Sequence, residues 1–163
     1  MWIPVFLFII FMKAHEMMTE KRVNQMIQYI ENPALSLEEV LPLYEAVGWT
    51  NYTQNPTMLK AAYKNSLHIL GALNEEGKLV GVLRAVGDGA SILFIQDILV
   101  YPEYQHQGIG TKLLQRTLEK YKNVYQIQLA TDDSKKTISF YESNGFTSLT
   151  SLNCVSFIYT GNK

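Results

Sequence analysis

The 163-residue sequence predicts an α/β domain built around a mixed sheet. Three observations carry that expectation. Two capped helical stretches come first, a meander of apolar strands with tight turns follows, and the rest reads strand, helix, strand, helix, strand. No internal repeat or low-complexity linker interrupts residues 18–163, which read as a single domain.

The first helix is "SLEEVLPLYEAVGW". Ser36 and Glu39 form a capping box, Leu37, Val40, Leu41 and Tyr44 share one face, Pro42 kinks the helix and Gly48 ends it. Asn55-Pro56, a cap followed by proline at the first helical position, opens the second through Ala61, Ala62 and Tyr63. "LHILGAL" and "KLVGVLRAV" are strands joined by the turn "NEEG". Asp88-Gly89 turns the chain into a long apolar strand, "SILFIQDILV". After "YPEYQHQGIG" comes a helix, "TKLLQRTLEKY", with Leu113, Leu114, Leu118 and Tyr121 facing inward. "VYQIQLA" alternates, placing Tyr125, Ile127 and Leu129 on one face. "SKKTISFYESN" is a helix stopped at Gly145, and "VSFIYTG" closes the chain as a strand.

Composition narrows the function classes. A formal net charge of -1 provides no field to draw nucleic acid or an acidic membrane. The single cysteine, Cys154, excludes an intrachain disulfide and a cysteine-based metal cluster, which suits a cytoplasmic location. His15, His68 and His106 show no ligand spacing, so no metal is expected. The stretch 1–17 is an apolar N-terminal extension. Its opening run, "MWIPVFLFIIFM", is shorter than the roughly 20 residues a bilayer span needs. It also lacks the basic region and cleavage site of a signal peptide. Three readings remain: an element packed on the domain, a homodimer contact, or translation assigned upstream of a natural start at Met18.

Gly108 and Gly110 precede a helix, where unpaired amides and the positive end of the dipole hold anions well. Glycine there clears side chains from a closely approaching anion and permits positive φ. Gln105, Gln107, Gly108, Gly110 and Thr111 are thus placed to offer amides to a pyrophosphate. A tight strand-to-helix turn without a ligand explains the same glycines. A P-loop is excluded, since no Gly-Lys-Ser/Thr follows.

"ILVYPEYQHQGIGTKLL" resembles motif A of the GCN5-related N-acetyltransferases, with Gln105-His106-Gln107-Gly108-Ile109-Gly110 as its core. "ISFYESNGF" resembles their motif B, in the right order and with a helix and strand between. The resemblance covers about residue 37 to the C-terminus. More loosely, "GW", "KAAYKNS", "QDILVYPEYQHQGIG" and "FYESNGF" resemble the plant chloroplast serotonin N-acetyltransferase type. The family resemblance implies a mixed, mostly antiparallel sheet flanked by helices, whose splayed central strands hold acetyl-CoA. It further implies a bulged strand end at Ile98, Leu99 and Val100, whose free backbone groups pair with pantetheine. No metal enters the reaction.

Direct acetyl transfer to an amine needs a neutral amine, a stabilised oxyanion and a protonated leaving thiolate. By resemblance Tyr141 is the general acid; by packing alone it is a core tyrosine beside Phe140. Asp97 and Asp133 are the candidate general bases, with a water chain as the alternative, because Phe94 and Gln96 cannot titrate where some relatives carry a base. Ser134 replaces the family's usual asparagine at a cofactor contact. Lys135 and Lys136 stand in a first helical turn, where contact with CoA phosphates would account for two cations, but they read first as a solvated face. Trp49 and Tyr52 either line an acceptor pocket or belong to the core. The expected acceptor is a small primary amine, with a protein lysine or N-terminal amine, or a non-catalytic acyl-CoA-binding role, as the competing readings.

Overall fold

The computed structural model describes residues 26–161, so the stretch 1–17 and the candidate start Met18 lie outside the described residues. Five strands form one sheet in the order β1 (Gln28–Glu31), β2 (His68–Leu73), β3 (Leu79–Gly87), β4 (Ile92–Val100), β5 (Gln126–Leu129). The first three pairings are antiparallel and β4–β5 is parallel. This is the mixed sheet that the sequence predicts, mostly antiparallel as the resemblance implies. The parallel step exists because α4 (Ile109–Lys120) crosses over between its two strands.

Three helices separate β1 from β2: α1 (Leu37–Ala46), the single turn α2 (Thr50–Thr53) and α3 (Pro56–Lys64). The caps act as expected. Ser36 Oγ accepts from the Glu39 amide at 3.3 Å while Glu39 accepts from the Ser36 amide at 2.8 Å. Asn55 Oδ1 accepts from the Met58 amide at 3.1 Å. Pro42 is accommodated inside α1, and Gly48, with φ +79°, follows its last residues. The buried face of α1 is Val40, Leu43 and Tyr44, whereas Leu37 and Leu41 are only half-buried.

The sheet is covered on both faces. Tyr44 of α1 reaches the face that carries Arg84 and Asp97. On the opposite face α4 buries Ile109, Leu113, Leu114 and Thr117, so close to β3 that a Cβ at Gly81 would meet Ile109 Cγ2 at 3.3 Å. Leu118 and Tyr121, expected inward, sit half-buried at its rim.

β1 has no counterpart among the expected elements: it is four residues long and mostly exposed, so it carries no apolar alternation. Two expectations need correction. Tyr125 precedes β5 and is 83% exposed, because the strand and its alternation begin only at Gln126. "VSFIYTG" forms no strand: after a 3₁₀ turn at Leu149–Leu152 and Asn153 in the left-handed region, the chain runs on unpaired, with Phe157 and Tyr159 92% and 94% exposed. A strand exists only by pairing, and the described sheet places no neighbour beside it.

Candidate active site

Strand β4 organises the site. It pairs with β3 along its length, but Arg84 faces Asp97 while Ala85 faces Ile95, so Gln96 is the extra residue of a bulge. The bulge thus precedes Asp97; the expected one at Ile98, Leu99 and Val100 is displaced toward the start of the strand. On its other side β4 pairs with β5 only from Ile92 to Ile95. From Gln96 to Val100 that edge has no strand partner among the described residues, and the two central strands diverge as the resemblance implied. The ladder to β3 ends with the Tyr101 amide on the Val80 carbonyl at 3.0 Å, after which Pro102 starts a 3₁₀ turn.

A cavity of about 620 Å³ fills the gap between the free edge of β4, the glycine turn and α5 (Lys135–Ser143). Gly108 has φ +78°, and a Cβ built there meets nothing within 4 Å, so the space over its backbone is open. The first helical bond of α4 runs from the Lys112 amide to the Gly108 carbonyl at 2.9 Å. The amides of Ile109, Gly110 and Thr111 therefore have no partner within the helix, and all three residues line the cavity. His106, also lining it, has φ +60°, a conformation that costs a non-glycine residue about 1–2 kcal/mol. Such a conformation persists where the surroundings impose it, as at anion-binding turns. Gln105 ties the turn to β4 by donating to the Val100 carbonyl at 3.1 Å.

The other expected contacts divide. Ile98 and Val100 line the cavity; Leu99 is buried on the sheet. Gln107 is exposed and donates to the Glu103 carbonyl at 3.0 Å, outside the lining. Ser134 caps α5, accepting from the Thr137 amide at 3.3 Å, and does not line the cavity. Lys136, read as a solvated side chain, does line it.

Tyr141 lies in the cavity wall, in edge-on contact with Phe140 and Phe146 at 5.1 and 5.8 Å between ring centres. Burial, and then the charge of Asp132, push its hydroxyl up to about 12, so it holds its proton at neutral pH. Asp132, which sequence reasoning passed over, lines this cavity and a second one beside Tyr141, while Asp133 lines only the second. Hydrogen bonds from Ser134 and Thr137 hold the Asp132 carboxyl below its ordinary range.

Asp97 is not in the cavity. Its side chain is fully buried, with Oδ2 accepting from Arg84 Nε at 2.5 Å and from the Tyr44 hydroxyl at 2.7 Å, and with Oδ1 lacking a partner among the described residues. A carboxylate so paired is unsuited to meeting an acceptor amine, so Asp97 is better described as a support. Through Tyr44 it underlies Trp49 and Tyr52, whose rings stack 5.7 Å apart, 24° from parallel. Trp49 lines the cavity; Tyr52 stands behind it, accepting from Gln96 Nε2 at 3.3 Å.

Comparison with known proteins agrees with this architecture. The acetyltransferase (GNAT) domain model matches residues 65–148, just over half of the chain. A GNAT-family acetyltransferase structure from Streptococcus pneumoniae TIGR4 is 43% identical, covers 85% of this chain and 100% of its own, and superposes with a TM-score of 0.76. An uncharacterized ycf52-like N-acetyltransferase of Prochlorococcus marinus is 33% identical over 69% of this chain and 63% of its own length. GCN5-related N-acetyltransferase 2, chloroplastic, of Arabidopsis thaliana is 36% identical over 47% of this chain and 30% of its own. The chain belongs to the GNAT acetyltransferase family. It spans less than two thirds of these two curated relatives.

Proposed function

We propose that the protein is an acetyl-CoA-dependent N-acetyltransferase that transfers the acetyl group directly to a small primary amine. One observation carries this reading: the free edge of β4, the three unpaired amides under open space at Gly108 and the protonated Tyr141 border the same cavity. Acetyl-CoA supplies an activated thioester when bound. The amides of Ile109, Gly110 and Thr111 hold its pyrophosphate, aided by the helix dipole and by Lys136. The free edge at Ile98 and Val100 receives the pantetheine amides as an added strand would be received.

Tyr141 Oη donates its proton to the departing sulfur. Asp132 is ionised at neutral pH and draws a cationic amine to the cavity; the amine gives up its proton to solvent there, with neither Asp97 nor Asp133 facing it. The half-exposed indole of Trp49, stacked on Tyr52, suits an arylalkylamine. A lone cysteine fits work in a reducing compartment such as the cytoplasm.

The test is Tyr141→Phe, which keeps the ring contacts and deletes the hydroxyl. Thiol release from acetyl-CoA, measured across arylalkylamines, aliphatic amines and a lysine peptide, identifies the acceptor class. With the best acceptor, kcat should fall about 10²–10⁴-fold, with acetyl-CoA affinity and Tm little changed. A kcat within about threefold of the parent, small against that range, assigns the proton to water.

A further inference from the structure

Beyond its bulge, strand β4 is apolar on both faces. Leu99 lies on the face that Tyr44 covers, and Ile98 and Val100 lie on the face that α4 covers. A slip of one residue exchanges the two sets, and because each set is apolar, burial alone does not choose between the registers. An uninterrupted ladder is also the simpler one, since a bulge leaves a residue unpaired. From Ala85 opposite Ile95 it would continue with Arg84 opposite Gln96, Val82 opposite Ile98 and Gly81 opposite Leu99. The structure instead sets Arg84 opposite Asp97, Val82 opposite Leu99 and Gly81 opposite Val100.

The first pair after the bulge is the charged one. Both side chains are buried, and Arg84 Nε donates to Asp97 Oδ2 at 2.5 Å. Each is also held from outside its own strand. The Tyr44 hydroxyl of α1 donates to the same Asp97 oxygen at 2.7 Å. The Arg84 guanidinium reaches Ser66 Oγ, just past α3, at 3.3 Å and lies 5.7 Å from the centre of the Tyr63 ring.

We propose that the buried Arg84–Asp97 pair sets the register of β4, forcing the bulge at Gln96 and so opening the edge that faces the cofactor cavity. In the uninterrupted ladder Asp97 turns to the α4 face, opposite Leu83, and Arg84 stays behind. Two buried charges then lose their partner at once, which equal apolar packing does not offset. A bulge bends its strand, and β5 stops pairing with β4 at Ile95, the last residue before it. The pair thus acts on a cleft it does not touch: neither residue lines the cofactor cavity. Buried ion pairs often add little net stability over apolar residues of similar volume, and fixing register is their best-attested use.

The experiment replaces both charges, Arg84→Met with Asp97→Leu, and reads Tm, cross-strand nuclear Overhauser contacts and acetyl-CoA affinity by calorimetry. Only the affinity rests on the acetyl-CoA reading. Tm should equal or exceed that of the parent, with Val82 now opposite Ile98 and Gly81 opposite Leu99. Affinity should fall about tenfold or more, because the edge no longer bends away to receive an added strand. Arg84→Lys, which keeps the charge, should keep the parent's register and binding. A double variant that still sets Val82 opposite Leu99 overturns the proposal. A slipped register with unchanged affinity overturns it too, since the cleft then does not depend on the bulge. A parent that does not bind acetyl-CoA defeats the functional reading, and the contacts then decide the register alone. If the double variant does not fold, the neutral pair Arg84→Gln with Asp97→Asn is read in the same way. Failure of both to fold overturns the proposal by making the pair a condition of folding rather than of register.

Discussion

Helix α4 buries four side chains against the sheet; helix α5, three residues shorter, buries none. Both carry a part of the candidate site. The glycine turn and its free amides belong to the element packed against β2, β3 and β4, and Tyr141 belongs to the one held chiefly by Phe140, Phe146 and its own cap. The proposed cofactor cradle therefore rests on a firm half of the molecule, and the proposed proton donor rests on a half whose outer wall is open. A rigid cradle fixes where an anion sits. A loosely anchored donor gains its position from whatever covers it.

The largest effect expected on the firm half comes from breaking its buried pair. Asp97→Ala strips Arg84 and Tyr44 of their shared acceptor and leaves a guanidinium buried without a counter-charge. Losing one partner of a buried pair typically costs about 3–5 kcal/mol. Ile138→Ala, on the exposed face of α5, should cost about 0.5 kcal/mol or less. Denaturant midpoints for the two variants make the comparison quantitative. Similar losses in both would mean that α5 is as firmly seated as the sheet.

A second, smaller effect depends on pH. His68 is buried on the α4 face, with Nε2 3.3 Å from Thr117 Oγ1 and Nδ1 without a partner among the described residues. Burial first, and then the charge of Lys120, lower its pKa to about 4 from the ordinary 6.5. Above pH 6.5 the ring is neutral whether the chain is folded or not, and nothing is lost. Between pH 6.5 and about 4 the unfolded chain takes up the proton while the folded one does not, so stability falls with falling pH. Tm of the parent should drop through that window more steeply than Tm of His68→Gln. Parallel curves would show that carboxylates alone set the acid limit.

Local signals in the sequence were legible where one short stretch carries the whole cause. The capping box at Ser36, the proline after Asn55 and the glycine turn before α4 each determine their own backbone, and the structure has all three. Features set across the sheet were not legible. Asp97 is a support because β3 places Arg84 opposite and α1 brings Tyr44 over it, which no local pattern encodes. The bulge falls at Gln96 through the register of two strands. Asp132 and Asp133 are neighbours in the same extended stretch, and only the fold brings Asp132 to the first cavity and keeps Asp133 out of it. "VSFIYTG" has the composition of a strand, but pairing needs a partner, and the described sheet places none beside it.

A modest effect on the fold, and the most telling one for the cradle, belongs to Gly108→Glu. A Cβ there meets nothing within 4 Å, so there is no clash, and the cost to folding is that of a left-handed non-glycine residue, about 1–2 kcal/mol. His106, two residues earlier, already bears such a conformation, so the turn tolerates one. The consequence for binding differs in kind. A carboxylate set over the amides of Ile109, Gly110 and Thr111 fills the space an anion needs and repels it across a few ångströms. Titration calorimetry should therefore show acetyl-CoA binding lost in a variant that still melts cooperatively. Gly108→Ala carries the same left-handed cost without the charge, and it should retain measurable binding. Unchanged affinity in Gly108→Glu would return the glycine to the role of a plain turn between β4 and α4 and move the pyrophosphate elsewhere.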